Sequence, residues 1–149
     1  MFDDYTRLDT GDLIPVIKIR TTDDEEIDIG PGTGNIILVH FFILDCPHCR
    51  RSLDYLGLMM DTIKSRPGFM VISAGRGHTR EEIIEDLGRD SPIIMVPDPD
   101  RKIYSLFAEK KVPRFYLFDK DGKLVQQVRG YDDTEIQGVF KNISVLLDS

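Results

Sequence analysis

The chain's only two cysteines stand three positions apart, in Asp45-Cys46-Pro47-His48-Cys49-Arg50-Arg51. Two thiols at this spacing can open and close a disulfide if the stretch is the first turn of a helix, where Cβ atoms three apart are roughly 5–6 Å from each other. Pro47 favours that geometry, because its fixed φ suits the first helical position and its missing N–H costs nothing there. The helix is therefore predicted to start at Cys46 or Pro47. Cys46 then sits at the positive helix end beside unpaired N–H groups, whereas Cys49 is covered by the first turn. Cys46 is the expected attacking thiolate. His48, by a hydrogen bond or a positive charge near the sulfur, favours thiolate and a stronger oxidant. Asp45 opposes this, Arg50 and Arg51 offset Asp45, and the sign of the net effect stays open.

An apolar run, Ile36 to Leu44, delivers the chain to this turn. It is shorter than the about 20 residues a membrane span needs, and its branched and aromatic content reads as a buried strand. Beyond the cysteines, Leu53, Leu56, Met59, Met60 and Ile63 recur at helical spacing, so the helix is predicted to reach about Ser65, with Arg66-Pro67-Gly68 as its stop. The methionines in it read as a core-facing stripe rather than a ligand surface.

The other elements follow from period and punctuation. Residues 1–12 form a loosely held lead-in. Val16 to Ile19 and Ile27 to Ile29 read as a hairpin around the charged turn Thr21 to Glu26, and Gly30 to Gly34 is a connector. Phe69 to Ile72 is a strand, followed by the loop Gly75 to Arg80. That loop lacks a full nucleotide fingerprint, so no phosphate site is read there, and His78 reads as an ordinary loop residue. Thr79 and Glu82 form a capping box before the helix Arg80 to Leu87. Ile93 to Val96 is a short strand, Pro97 to Asp100 a turn, and Asp100 the cap of a helix reaching Phe107. Arg114 to Phe118 and Leu124 to Arg129 are strands around Asp119-Lys120-Asp121-Gly122. Asp132, Asp133 or Thr134 caps a last helix carrying Ile136, Val139, Phe140, Ile143 and Leu146. This order implies an α/β domain with a mixed central β-sheet and helices on both faces.

The 149 residues, 41% hydrophobic, fit one domain spanning 1–149. A net charge of -7 argues against a sequence-independent grip on nucleic acid or anionic lipid. Met1 to Tyr5 has neither a basic segment nor an apolar core, so no signal peptide is read in it, although a trimmed chain would look the same.

The cysteine turn, followed much later by Val112-Pro113 before a strand-turn-strand with Asp119-Lys120-Asp121-Gly122, resembles the thioredoxin superfamily. The resemblance is closest to its TlpA/ResA-like branch, related to the AhpC/TSA peroxiredoxins, and covers roughly residues 10 to 147. It implies a thioredoxin-like fold with an extra N-terminal β-hairpin and a strand-helix insertion. It implies a thiol-disulfide oxidoreductase with Cys46 as nucleophile and Cys49 as resolving thiol. Its substrates would be protein thiols or disulfides, served by an unidentified redox partner, with no cofactor beyond the Cys46-Cys49 disulfide and no metal. Pro113 is expected to be cis and to face the disulfide, making Val112 and Pro113, with Asp45 and Pro47 beside them, the substrate-contacting surface.

His40 falls six positions before Cys46, where thioredoxins commonly place a buried acid. It is expected either to accept the Cys49 proton or to be a core histidine satisfied by backbone. Asp45 replaces the family's usual tryptophan and the chain has no tryptophan, so the aromatic surface beside the disulfide is expected to be missing. Cys-Pro-His-Cys resembles the oxidising DsbA-type motif, while the scaffold resembles reductants. The branch implies the bacterial periplasm or cell envelope after removal of a signal or lipid anchor, with a cytoplasmic home as the alternative. Oligomeric state stays open. Other functions compete with disulfide exchange. A soft-metal site for copper or zinc, or a non-catalytic partner-binding module, has one Cys pair and three histidines to work with. A peroxidase lacks the Pro-x-x-x-Thr-x-x-Cys pattern.

Overall fold

Ile36–Phe42 (β3) is buried along its whole length because it lies in the middle of a five-stranded sheet, as its unbroken apolar run demands. In this computed structural model, which describes residues 5–63 and 67–149, the helix Pro47–Ile63 (α1) leads to Phe69–Arg76 (β4). Then come Arg80–Leu87 (α2), Ile94–Asp98 (β5), Tyr104–Phe107 (α3), Arg114–Phe118 (β6), Leu124–Arg129 (β7) and Asp133–Leu147 (α4). The sheet order is β5-β4-β3-β6-β7, with β3, β4 and β5 parallel and β6 and β7 antiparallel to their neighbours. Ile17–Arg20 (β1) and Glu26–Ile29 (β2) form a separate antiparallel hairpin.

Side chains alternate across β3, and the two cores divide accordingly. Ile36, Leu38 and Phe42 pack with Leu56, Met59 and Ile63 of α1, Ile83 of α2, and Ile136, Val139 and Ile143 of α4. Ile37, Val39 and Phe41 face Ile19 and Ile29 of the hairpin and Tyr104 and Phe107 of α3. Each such fully buried side chain contributes roughly 1.5–3 kcal/mol. Helices thus lie on both faces, and the hairpin joins the single turn α3 in covering the second.

Several local expectations shift. β4 runs through Gly75 and Arg76, which read as loop, and a Cβ at Gly75 would meet Ile83 Cδ1 at 2.9 Å and Phe42 Cζ at 3.2 Å. β5 takes in Pro97 and Asp98, and as an edge strand it tolerates a residue without N–H. Asp98, not Asp100, serves α3: its carboxylate accepts from the Ile103 N–H at 3.0 Å and the Tyr104 N–H at 2.9 Å, while Asp100 turns to Lys102, meeting its N–H and its ammonium. Thr79 and Glu82 do form the capping box, and Asp132 caps α4 by accepting the Glu135 N–H at 2.9 Å.

The lead-in is fastened where it is described. Thr6 Oγ1 lies 2.7 Å from Gln127 Oε1, Gln127 Nε2 donates to the Leu8 carbonyl at 2.8 Å, and the Arg7 N–H to the Phe107 carbonyl at 2.8 Å. The first four residues of the lead-in, Lys64 and Ser65 at the expected end of α1, and Arg66 of its expected stop lie outside the described residues.

Candidate active site

The cysteine turn forms where the parallel strand β3 ends and α1 begins. Cys46 is half-buried, Cys49 is fully buried, and both are free thiols. The Cys49 N–H donates to the Cys46 sulfur at 3.2 Å, so a first-turn amide of α1 is aimed at the outer sulfur. Pro47 has no N–H to offer and serves by starting the helix. The Cys49 thiol is pushed up to about 12, first by burial, then by its hydrogen bond with Cys46 and by that neighbour's charge. The Ile43 N–H directed at the Cys49 sulfur and the positive charge of Arg76 pull the other way. The two sulfurs are therefore unlike, one within reach of solvent and one held protonated.

Asp45, Pro47 and His48 are exposed around Cys46. The His48 ring stacks on Tyr131, with centroids 6.5 Å apart and planes 14° from parallel. Tyr131 thus puts an aromatic ring beside the cysteine turn, correcting the expectation that none would be there. Its hydroxyl is pushed above the usual phenol range, first by a hydrogen bond with Asp133. Tyr131 comes from the loop between β7 and α4, and only the folded sheet brings it here.

Val112-Pro113 is cis. Phe41 pairs with Arg114 in the antiparallel β3–β6 ladder, so Pro113 follows at the same sheet end as Phe42 and the cysteine turn. The preceding loop is held from beneath. The buried Arg114 donates from Nε to the Lys110 carbonyl at 3.0 Å and to the Lys111 carbonyl at 3.2 Å, and the Tyr104 hydroxyl donates to the same Lys111 carbonyl at 2.7 Å. Neither side chain is marked by local sequence spacing.

His40 is completely buried below the turn, stacked on Phe42 and tilted against Phe115. Its Nδ1 lies 2.7 Å from Ser73 Oγ and its Nε2 2.7 Å from Ser52 Oγ. Ser52 spends its single hydroxyl proton on the Cys49 carbonyl at 2.7 Å, so it must accept from His40 Nε2–H, and Nδ1 accepts from Ser73. Burial pulls the imidazole down to about 3, so it is neutral at ordinary pH. The partners of this core histidine are two serine hydroxyls rather than backbone, and both ring nitrogens are occupied by them. Ser52 and Ser73 gave no signal in the sequence, since Ser52 follows two arginines in the helix and Ser73 is one serine in an apolar strand.

One further histidine lies at the turn. His78, from the loop between β4 and α2, accepts the Leu44 N–H on Nε2 at 3.0 Å. Arg50 Nε donates to the Leu44 carbonyl at 3.2 Å, and its guanidinium pairs with Asp86 of α2. The peptide groups just before Cys46 are thus gripped by side chains from α1 and from the loop leading into α2. Among the described residues no three His, Cys, Asp or Glu side chains converge as a metal site, and no helix is long and apolar enough to cross a membrane.

Comparison with known proteins gives a consistent likeness. No family model matches the chain. The thiol-disulfide oxidoreductase ResA of Bacillus anthracis is 22% identical over 147 residues, covering 96% of this chain and 83% of that protein. The solution structure of a candidate protein disulfide isomerase from Bacteroides thetaiotaomicron superposes with a TM-score of 0.89 at 20% identity, covering 97% of this chain and 94% of that one. A candidate thiol:disulfide interchange protein DsbE from Chlorobium tepidum gives 0.79 at 22% identity, over 94% of this chain and 99% of that one.

Proposed function

We propose that this chain, a ResA/TlpA-like protein of the thioredoxin superfamily, exchanges disulfides with protein substrates through Cys46 and Cys49. The observation that carries the reading is the asymmetry of the two sulfurs: Cys46 half-buried with the Cys49 N–H on it, Cys49 buried with its thiol raised. In the reducing direction the Cys46 thiolate attacks a substrate disulfide, forming one mixed disulfide and releasing one substrate thiolate, which takes up a proton. Cys49 then gives up its proton and attacks the Cys46 sulfur. The Cys46-Cys49 disulfide closes, the second substrate thiolate leaves, and two electrons have passed to the substrate. Run backwards, the same steps oxidise a dithiol.

Asp45, Pro47 and the half-buried Val112 would flank an extended substrate, with the buried Pro113 packed behind Val112, and Tyr131 with His48 gives that surface an aromatic side. His40 acts in this reading through Ser52 on the Cys49 carbonyl, fixing the first turn of α1, because Ser73 already occupies its basic nitrogen. The likeness to ResA supports an extracytoplasmic setting, in the periplasm or cell envelope.

The test is a redox titration of the Cys46-Cys49 pair against defined thiol buffers, read by alkylation and mass. A reversible two-electron midpoint supports the reading, with about -270 mV marking a thioredoxin-like reductant and about -120 mV a DsbA-like oxidant. A pair that never closes to a disulfide refutes it.

A further inference from the structure

His78 is outside the cysteine helix, yet it touches the backbone that leads into it. By accepting the Leu44 N–H on Nε2, neutral His78 must carry its proton on Nδ1. Nδ1 is buried with no hydrogen-bond partner among the described residues, and Glu82 Oε2 stands 3.7 Å away, beyond hydrogen-bond distance. Glu82 is held in place by the capping box, in which its Oε1 accepts the Thr79 N–H at 2.9 Å. A helix-start device therefore leaves one carboxylate oxygen facing the nitrogen that has to be protonated. The ring itself lies on Phe42, with centroids 6.5 Å apart and planes 22° from parallel.

We propose that His78 is a positioning residue for Cys49, holding the Leu44 amide so that the preceding amide, that of Ile43, stays aimed at the Cys49 sulfur. Ile43 and Leu44 lie just beyond the last residue of β3, past the pairing of Phe42 with Gly75, so the sheet does not fix them. Side chains do it instead: His78 on the Leu44 N–H, Arg50 on the Leu44 carbonyl, and Asp86 on Arg50. The Ile43 amide and Arg76 are what favour a thiolate on Cys49 against its burial. A slack Ile43-Leu44 segment removes the first of these. Cys46 receives its amide from Cys49 within α1 and does not depend on His78.

The role rests on the exchange reading, and it separates the two chemical steps. Rapid-mixing kinetics would follow mixed-disulfide formation and its resolution apart, in the wild type, His78→Leu and His78→Gln. Losing one positioned hydrogen bond should slow resolution about tenfold in His78→Leu while leaving the initial attack unchanged. His78→Gln, whose amide oxygen can accept the Leu44 N–H, should recover most of the rate. In the wild type, nitrogen NMR should find the His78 proton on Nδ1, a readout independent of how any variant folds. Unchanged resolution in His78→Leu, equal slowing of both steps, no recovery in His78→Gln, or a proton on Nε2 would overturn the role while leaving the exchange reading standing. A wild type that exchanges no disulfide would overturn both.

Discussion

The amide of Cys49 lies 3.2 Å from the sulfur of Cys46, so the residue that closes the exchange also steadies the group that opens it. One turn of helix accomplishes both, because Pro47 starts α1 in a position that leaves the Cys49 N–H free of an intrahelical partner.

This asymmetry predicts selective alkylation. At pH 7 the reduced native protein should take up one iodoacetamide, on Cys46, while Cys49 reacts only after unfolding. Peptide mass mapping reads the result, and equal labelling of both cysteines in the native state would contradict it.

The raised Cys49 thiol also makes an alkaline prediction. With a folded value of about 12 against an ordinary 9.0, the folded state holds a proton that the unfolded state releases, so stability is present below pH 9 and is lost as pH rises from 9 towards 12. Urea unfolding of the reduced protein should show this decline. Cys49→Ser should lack that part of it.

His40 has the opposite slope. Its folded value is lowered from 6.5 to about 3, so the unfolded chain binds a proton there that the folded chain refuses. Stability is present above pH 6.5 and falls as the pH drops towards 3, by as much as about 5 kcal/mol at 1.36 kcal/mol per pH unit. His40→Leu should flatten this part of the acid profile, and should lower stability at pH 7 by about 2–4 kcal/mol because Ser73 and Ser52 lose their partner. Denaturant midpoints across pH 4–8 check both. An unchanged acid profile would show that His40 is not held neutral by the fold.

Two glycines with one backbone angle separate strain from space. Gly122 and Gly130 both have φ near +81°, but a Cβ at Gly122 would stand 2.9 Å from the Pro31 Cα, whereas Gly130 has open space. Gly130→Ala should cost about 1 kcal/mol for its backbone angle alone, and Gly122→Ala about 1–3 kcal/mol more, because the atom it meets is main chain. Thermal or urea unfolding of the two variants reads the difference.

The local signals carried the architecture. The unbroken apolar run of β3, the Thr79-Glu82 box and the helical stripe through Leu56, Met59 and Ile63 each contain their own structural instruction, and each element formed where its pattern lay. What stayed hidden depends on distant partners. Asp98 competes with Asp100 for the same helix start, and only the buried end of β5 decides between them. Ser52 and Ser73 matter because they meet around His40, 12 and 33 positions away in the chain. Tyr131 reaches His48, and His78 reaches Leu44, only once the sheet has stacked its loops at one end. Arg114 had a place next to Pro113 in the sequence, but its hold on the Lys110 and Lys111 carbonyls needs the turn that folds back onto it.

The most direct test of the account is to mix reduced Cys49→Ser and reduced Cys46→Ser separately with a small disulfide-bonded peptide and weigh the products. Cys49→Ser should hold a stable mixed disulfide on Cys46, and native Cys46→Ser should give no peptide adduct and no exchange activity. An adduct on Cys49 in native Cys46→Ser, or exchange that survives the loss of Cys46, would contradict it.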